Sequence, residues 1–526
     1  MKFCSALLGA AALVFLCSSP VLFAQQSERL RIDVSSPSTP FPHFWEQTFG
    51  SGRAILSLRE SYRDDLRAVK QATGFQSIRF HGILMDDVGL YDPDRKVQNP
   101  GLAAEAAHDA QTYNFSYIDE IYDGLLANRV KPFVELSFMP RKMAADPNML
   151  QPFWYHPVVS PPRDYKLWDD MIRALAQHLI ARYGIAEVAT WNFEVWNEPN
   201  LDFWGGSPKQ ATYFELYDHT ARSLKSVSPR LRVGGPATAQ AAWVTPFLAH
   251  LKEAGVPADF VSTHVYANDT AKDVFGTDEQ IPRDAMVFRS VKKVHDQIAA
   301  SPFPHMPLIF SEYNASYANE PNVTDSPYIG PWLANNIRLC DGLTESMAYW
   351  DFSDVFEEQG VVASPFYGGF GLVAADEIPK ASLNVFRALH KLGTRRITVA
   401  SDSALATTMP GGKLVVALWN YAAPVGTGPT YTMPNGAAGP PRSFDLHMDH
   451  VPAGAAVQVW RVDFDHGNAL KLFDSMGRPT GSLTQAQIAS LKAAGAMAPA
   501  EQQHLKNGDL HITVPAQGIA VLEVSR

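Results

Sequence analysis

Two glutamates stand where a reaction at an acetal carbon would need carboxyl groups. Glu198 closes the run Trp191-Asn192-Phe193-Glu194-Val195-Trp196-Asn197-Glu198-Pro199, and Glu312 closes Leu308-Ile309-Phe310-Ser311-Glu312. Both runs are rich in aromatic and β-branched residues and read as buried strands. Asn197-Glu198-Pro199 can continue neither strand nor helix. A carboxyl group at the end of a buried strand, beside an amide and among tryptophans, suits proton transfer to a sugar oxygen. Two such groups facing one another suit cleavage of a glycosidic bond, with retention when they stand about 5–5.5 Å apart.

The elements that must bring them together follow a regular alternation. Between residues 44 and 390, strands are predicted near 44–49 and over 76–80, 131–138, 188–196, 231–234, 260–264, 308–311 and 346–350. Helical patterns fall between them over 61–73, 115–128, 164–183, 209–227 and 285–300. Eight strands alternating with helices predict a parallel sheet with helices outside, and about 350 residues suit an α/β fold, a (β/α)8 TIM barrel. A doubly wound open sheet is the alternative, weakened by the lack of a Gly-rich phosphate turn after an early strand. In a barrel, Glu198 after the fourth strand and Glu312 at the seventh share the C-terminal rim. After residue 390 the texture turns to short alternating runs between Gly/Pro turns, predicting a C-terminal all-β sandwich over 391–526, with a strand contributed by 28–42. The catalytic barrel is expected over 43–390.

Composition narrows the function. The net charge of −10 argues against nucleic acid, whose phosphates need a basic surface, and against anionic lipid. Lys2, the apolar run 6–16 and Ala24 read as a signal peptide over 1–24, so the protein is expected to be secreted or periplasmic, with no membrane association once the signal is removed. Cys4 and Cys17 fall in that segment, leaving Cys340 in an apolar helical pattern as an inert buried thiol. No convincing His/Asp/Cys ligand set appears, so neither metal nor other cofactor is expected. The absence of a Gly-x-Ser-x-Gly elbow argues against a serine hydrolase. The sequence leaves a homo-oligomer open.

The ordered motifs resemble glycoside hydrolase family 39. The resemblance is carried by Arg79-Phe80-His81-Gly82, by Glu194-Val195-Trp196-Asn197-Glu198-Pro199-Asn200, by Glu312-Tyr313-Asn314-Ala315-Ser316-Tyr317, and by Trp350-Asp351-Phe352-Ser353-Asp354-Val355-Phe356-Glu357-Glu358 with Gly368-Gly369-Phe370-Gly371-Leu372. The last two segments look like the β-xylosidase branch. The resemblance implies a retaining glycosidase acting on an oligosaccharide, with Glu312 as nucleophile and Glu198 as acid/base. It implies sugar contacts from His81, Asn197 and His264. Trp350 is expected as a stacking platform and Glu357 and Glu358 as hydroxyl acceptors. Tyr313, Tyr317 or an equivalent donor should hydrogen-bond Glu312 to keep it ionised. Phe138 and Tyr266 are weaker candidates for the wall, while Glu194 and Glu135 are expected deeper in the barrel as structural groups. The 263–268 loop offers no Lys or Arg to pair with a uronate, which favours a neutral pentose. The expected activity is an exo-β-1,4-xylosidase working by double displacement. The alternatives are a β-glucoside, arabinoside or iduronide specificity on the same scaffold, or a non-catalytic carbohydrate-binding protein.

Overall fold

The computed structural model describes residues 27–95, 112–424 and 439–525. The expected signal segment, with Cys4 and Cys17, lies outside the described residues. Eight parallel strands close into a barrel in chain order: Thr48–Ser51, Ser77–Phe80, Lys131–Glu135, Asn192–Glu194, Arg232–Thr238, Phe260–Tyr266, Leu308–Asn314 and Ser346–Tyr349. Parallel neighbours need a crossover, and one long helix follows each strand on the outside. Helix Tyr165–Tyr183 shows how the sequence writes such a crossover. The Asp164 side chain caps its first turn by accepting from the Lys166 N–H. Trp168, Met171, Ile172, Leu175 and Leu179 then form one buried stripe at helical spacing.

The strand ends differ from the expected ones near the rim. The third strand stops at Glu135, and the fourth holds only Asn192–Glu194, because Ile185–Val188 is a helical turn. Trp196 and Glu198 adopt φ of 72° and 43°, so the chain turns out of the sheet before the strand alternation can reach Glu198. Conversely, Phe260–Tyr266 and Leu308–Asn314 run further than expected, which places His264 and Glu312 inside strands.

Beyond helix Ala381–Leu389 lie two antiparallel-rich sheets. A seven-stranded sheet runs in the order Glu501–His504, Ala456–Val462, Ile519–Val524, Leu414–Trp419, Ala404–Thr408, Arg395–Ile397 and Ser38–Pro40. A three-stranded sheet pairs Glu28–Asp33 in parallel with Arg442–Asp449, which pairs in turn with Asp509–Val514. Strand periodicity divides the larger sheet's side chains between two cores. Val415, Ala417 and Trp419 join the apolar core of the barrel, and Leu414, Val416 and Leu418 join the core between the sheets. Glu501–His504 is a polar edge strand without apolar alternation, whereas Phe444, Leu446 and Met448 alternate inward in a clean strand pattern. Among the described residues no helix is long and apolar enough to cross a membrane.

Candidate active site

One cation organises the floor of the barrel mouth. Arg79, on the second strand, is fully buried and donates from Nε to Glu194 (2.5 Å), from Nη1 to Glu312 (2.6 Å) and from Nη2 to Asn197 Oδ1 (2.9 Å). Its Nη2 also lies 2.9 Å from Glu135. Burial opposes the guanidinium charge, but Glu194, Glu135 and Glu312 together hold its pKa above the ordinary value. The second oxygen of Glu312 accepts from the Tyr266 hydroxyl at 2.7 Å. Glu312 is therefore held by a full charge on one oxygen and a phenol on the other. The donor expected from Tyr313 or Tyr317 is Tyr266 instead. Tyr313 is buried against Trp332 and Tyr349, and Tyr317 is 57% exposed at the rim.

Glu198 meets a different environment. Its carboxyl is raised well above the usual range, first by burial and then by the charges of Glu312 and Asp269. Its Oε1 lies 3.0 Å from His264 Nδ1, and His264 Nε2 lies 3.1 Å from Ser311 Oγ. The Ser311 hydroxyl donates to Glu194 at 2.5 Å, so it can only accept from His264. That fixes the proton on Nε2 and leaves Nδ1 as an acceptor facing Glu198. Burial, then Arg79 and His81, hold the His264 pKa well below its ordinary value, so the ring stays neutral. A protonated Glu198 is the partner this ring can accept from. One oxygen of Glu198 and one of Glu312 lie within 4.8 Å of each other, each also near His264 Nδ1.

The other walls are equally specific. His81 donates from Nδ1 to Glu135 (2.7 Å), which turns Nε2 toward Glu312 and Glu358, 3.9 and 3.8 Å away. Asn197 has its oxygen occupied by Arg79, so its amide nitrogen is left for a ligand. Trp350 packs closely against the first strand: a Cβ on Gly50 would sit 2.1 Å from its ring, and no other residue leaves that space. The cavity is about 440 Å³ and is lined by His81, Asn197, Glu198, Tyr266, Asp269, Glu312, Tyr317, Trp350 and Glu358. Gln151, Phe153, Leu201, Phe203, Ala239, Gln240, Gln359 and Phe370 complete it. Among the described residues no Lys or Arg lines the cavity. Glu358 is raised well above the ordinary carboxylate range by burial and by Glu312, and Asp269 is pushed up to about 7 by burial.

Glu357 needs correcting. It does not face this cavity: Arg53 and Arg59 pair with it at 3.1 and 2.6 Å, and it lines a separate hollow behind the loop. Glu357 opens a turn closed by the Gly360 N–H on its carbonyl, and of the pair only Glu358 reaches the mouth. Phe138 is also outside the wall, fully buried against Trp196 and Phe203. Arg79, Asp269, Phe153 and Phe203 escaped the sequence reading as site residues. For Arg79 there was a signal: Glu135 and Glu194 inside buried strands demand a cation at the same depth. His43 and His390 both contact Glu46 Oε1, at 2.6 and 2.8 Å. This trio and that of Glu198, His264 and Glu312 put ligand-type atoms within 4.8 Å of one another.

The chain matches the profile of glycosyl hydrolases family 39 over residues 28–509. It is 38% identical over 482 residues to a β-xylosidase of Geobacillus stearothermophilus, covering 90% of each chain. A β-xylosidase of Caldicellulosiruptor saccharolyticus is 37% identical over 367 residues, 69% of this chain and 72% of that one. The crystal structure of a monomeric β-xylosidase from Caulobacter crescentus superposes with a TM-score of 0.84 at 34% identity, covering 95% of this chain and 99% of that chain.

Proposed function

The chain belongs to glycosyl hydrolases family 39, and from that premise we propose that it is a retaining exo-β-1,4-xylosidase releasing xylose from xylo-oligosaccharides. The observation that carries this is the approach of Glu198 and Glu312 to within 4.8 Å, with Glu198 raised by burial and Glu312 paired with Arg79. Inverting enzymes hold their carboxyls about 6.5–9.5 Å apart to admit a water between them, and that room is missing here.

In the first step Glu312 attacks the anomeric carbon, the bond to the leaving oxygen breaks, and Glu198 gives that oxygen its proton. The product is a sugar ester of Glu312. Esterification removes the Glu312 charge that held Glu198 protonated, so Glu198 becomes the base. It then takes a proton from water as the water oxygen displaces Glu312. The Asn197 amide nitrogen is placed to hold the 2-hydroxyl, a contact that strengthens in the oxocarbenium-like transition state. Trp350 offers its face to the apolar C–H surface of the sugar.

The cavity lining supports a neutral sugar. A uronate would have to be buried beside Glu312 and Glu358 with no free cation among the described residues lining the cavity, since the hydrogen bonds of Arg79 are already spent on protein groups. A self-associated form is no part of this proposal; the Caulobacter relative is described as monomeric. Export, argued from residues 1–24, is. The function is tested by hydrolysis of aryl β-xyloside, β-glucoside, α-arabinoside and α-iduronide, with NMR of the first anomer formed. Strongest turnover on the xyloside releasing β-xylose is expected. Release of α-xylose would overturn the double displacement, and preference for another glycoside would overturn the specificity. Glu312→Gln should abolish turnover while sugar binding persists; unchanged turnover would remove Glu312 from the mechanism.

A further inference from the structure

Trp154 is 52% exposed, and none of the described aromatic rings stacks on it. A single exposed ring needs no explanation by itself, so a function for it must come from its place. Its place supplies one. Gln151 and Phe153, just before it, line the catalytic cavity, and so do Glu358 and Gln359 from the loop after the eighth strand. The Trp154 N–H donates to the Glu358 carbonyl at 2.8 Å, binding these two loops together. On the second loop Gly360 takes φ +104°, and its Cβ position lies 3.5 Å from the Trp154 ring, ordinary contact distance, so the ring sits beside this turn.

Glu198 protonates the leaving oxygen, so the departing sugar lies on its side of the cavity. That side is walled by Leu201, Phe203 and Gln240, and Phe203 meets the edge of Phe153 at 5.2 Å. Trp154 is the next residue outward from Phe153. We propose that Trp154 is a stacking platform for the sugar beyond the first leaving unit, making the enzyme select neutral β-linked chains of three or more units. This inference rests on the β-xylosidase reading above.

The test compares kcat/KM on p-nitrophenyl β-xyloside, xylobiose and xylotriose for wild type, Trp154→Ala and Trp154→Phe. Trp154→Ala is expected to lose roughly fivefold or more on xylotriose, in the range of one aromatic contact, through KM rather than kcat. Xylobiose and the aryl xyloside should change by less than about twofold, and Trp154→Phe should recover most of the xylotriose activity. Equal losses on all three substrates, or none on xylotriose, would overturn the platform. Wild-type inactivity on the aryl xyloside and xylobiose would instead overturn the xylosidase reading, so the two failures are separable.

Discussion

At Glu198 burial disfavours the ionised carboxyl, and the charge of Glu312 across the cavity adds to that penalty. Glu312, by contrast, faces Arg79 and the Tyr266 hydroxyl. One residue type thus acquires two chemistries from its neighbours alone. Glu312→Gln removes a negative charge beside Glu198, so the Glu198 anion becomes easier to form and its pKa falls. Carbon-13 NMR titration of labelled glutamate carboxyls in the two proteins reads this shift; an unmoved Glu198 resonance would mean that burial acts alone. In the wild type, activity should decline on the alkaline side as Glu198 loses its proton. Both glutamates were legible in the sequence because each closes an apolar run beside an amide or aromatic residue. Arg79 was legible only through Glu135 and Glu194, since by itself a charged residue in a strand reads equally well as solvent-facing. Tyr266 was underrated for a similar reason: its hydroxyl reaches Glu312 from a neighbouring strand, a relation that no sequence spacing encodes. Glu357 and Glu358 look alike as sequence, and only the course of their loop separates the one paired with arginines from the one in the cavity.

At the level of elements, the site depends on one close approach between the first and eighth strands. Trp350 occupies the space that a side chain at position 50 would fill. Gly50→Ala should push the ring from its place, and misplacing a binding surface by about 1 Å can cost on the order of a hundredfold in rate. Overpacking of this kind also destabilises by about 1–3 kcal/mol. Circular dichroism should show a folded protein with kcat/KM for the aryl xyloside lowered by one to two orders of magnitude; intact activity would show that Trp350 does not support the sugar. The number and order of the barrel strands could be read from the sequence because hydrophobic runs and amphipathic stretches alternate strictly. Their ends could not, because the rim is where the backbone leaves regular geometry. Trp196 and Glu198 take positive φ there, and the strand alternation that would align them with Glu194 no longer applies.

Across the whole molecule, barrel and sandwich share one apolar layer. Val415, Ala417, Trp419, Val462, Ile519 and Val521 belong to the same core as the barrel helices. Chains of more than one domain often unfold in separate steps, but here neither part can open without exposing the other's core. Scanning calorimetry should therefore give a single transition, and two well-separated transitions would show that the shared layer couples them weakly. The sequence predicted a sandwich after the barrel but did not reveal this coupling. Alternating residues within Leu414–Trp419 serve two cores, and to a sequence reading both faces are simply apolar.

The central guanidinium has a consequence for the field around the molecule. While Glu312 is a carboxylate and Glu198 an acid, the facing pair carries one negative charge. Once Glu312 is an ester and Glu198 is ionised, it still carries one. The charge has crossed a gap of less than 5 Å, from the Glu312 carboxylate to the Glu198 oxygen beside neutral His264. The enzyme thus behaves as a dipole that reverses at constant net charge. An arriving oligosaccharide and a departing xylose meet the same long-range potential in either half of the cycle, and the reversal is felt only inside the cavity.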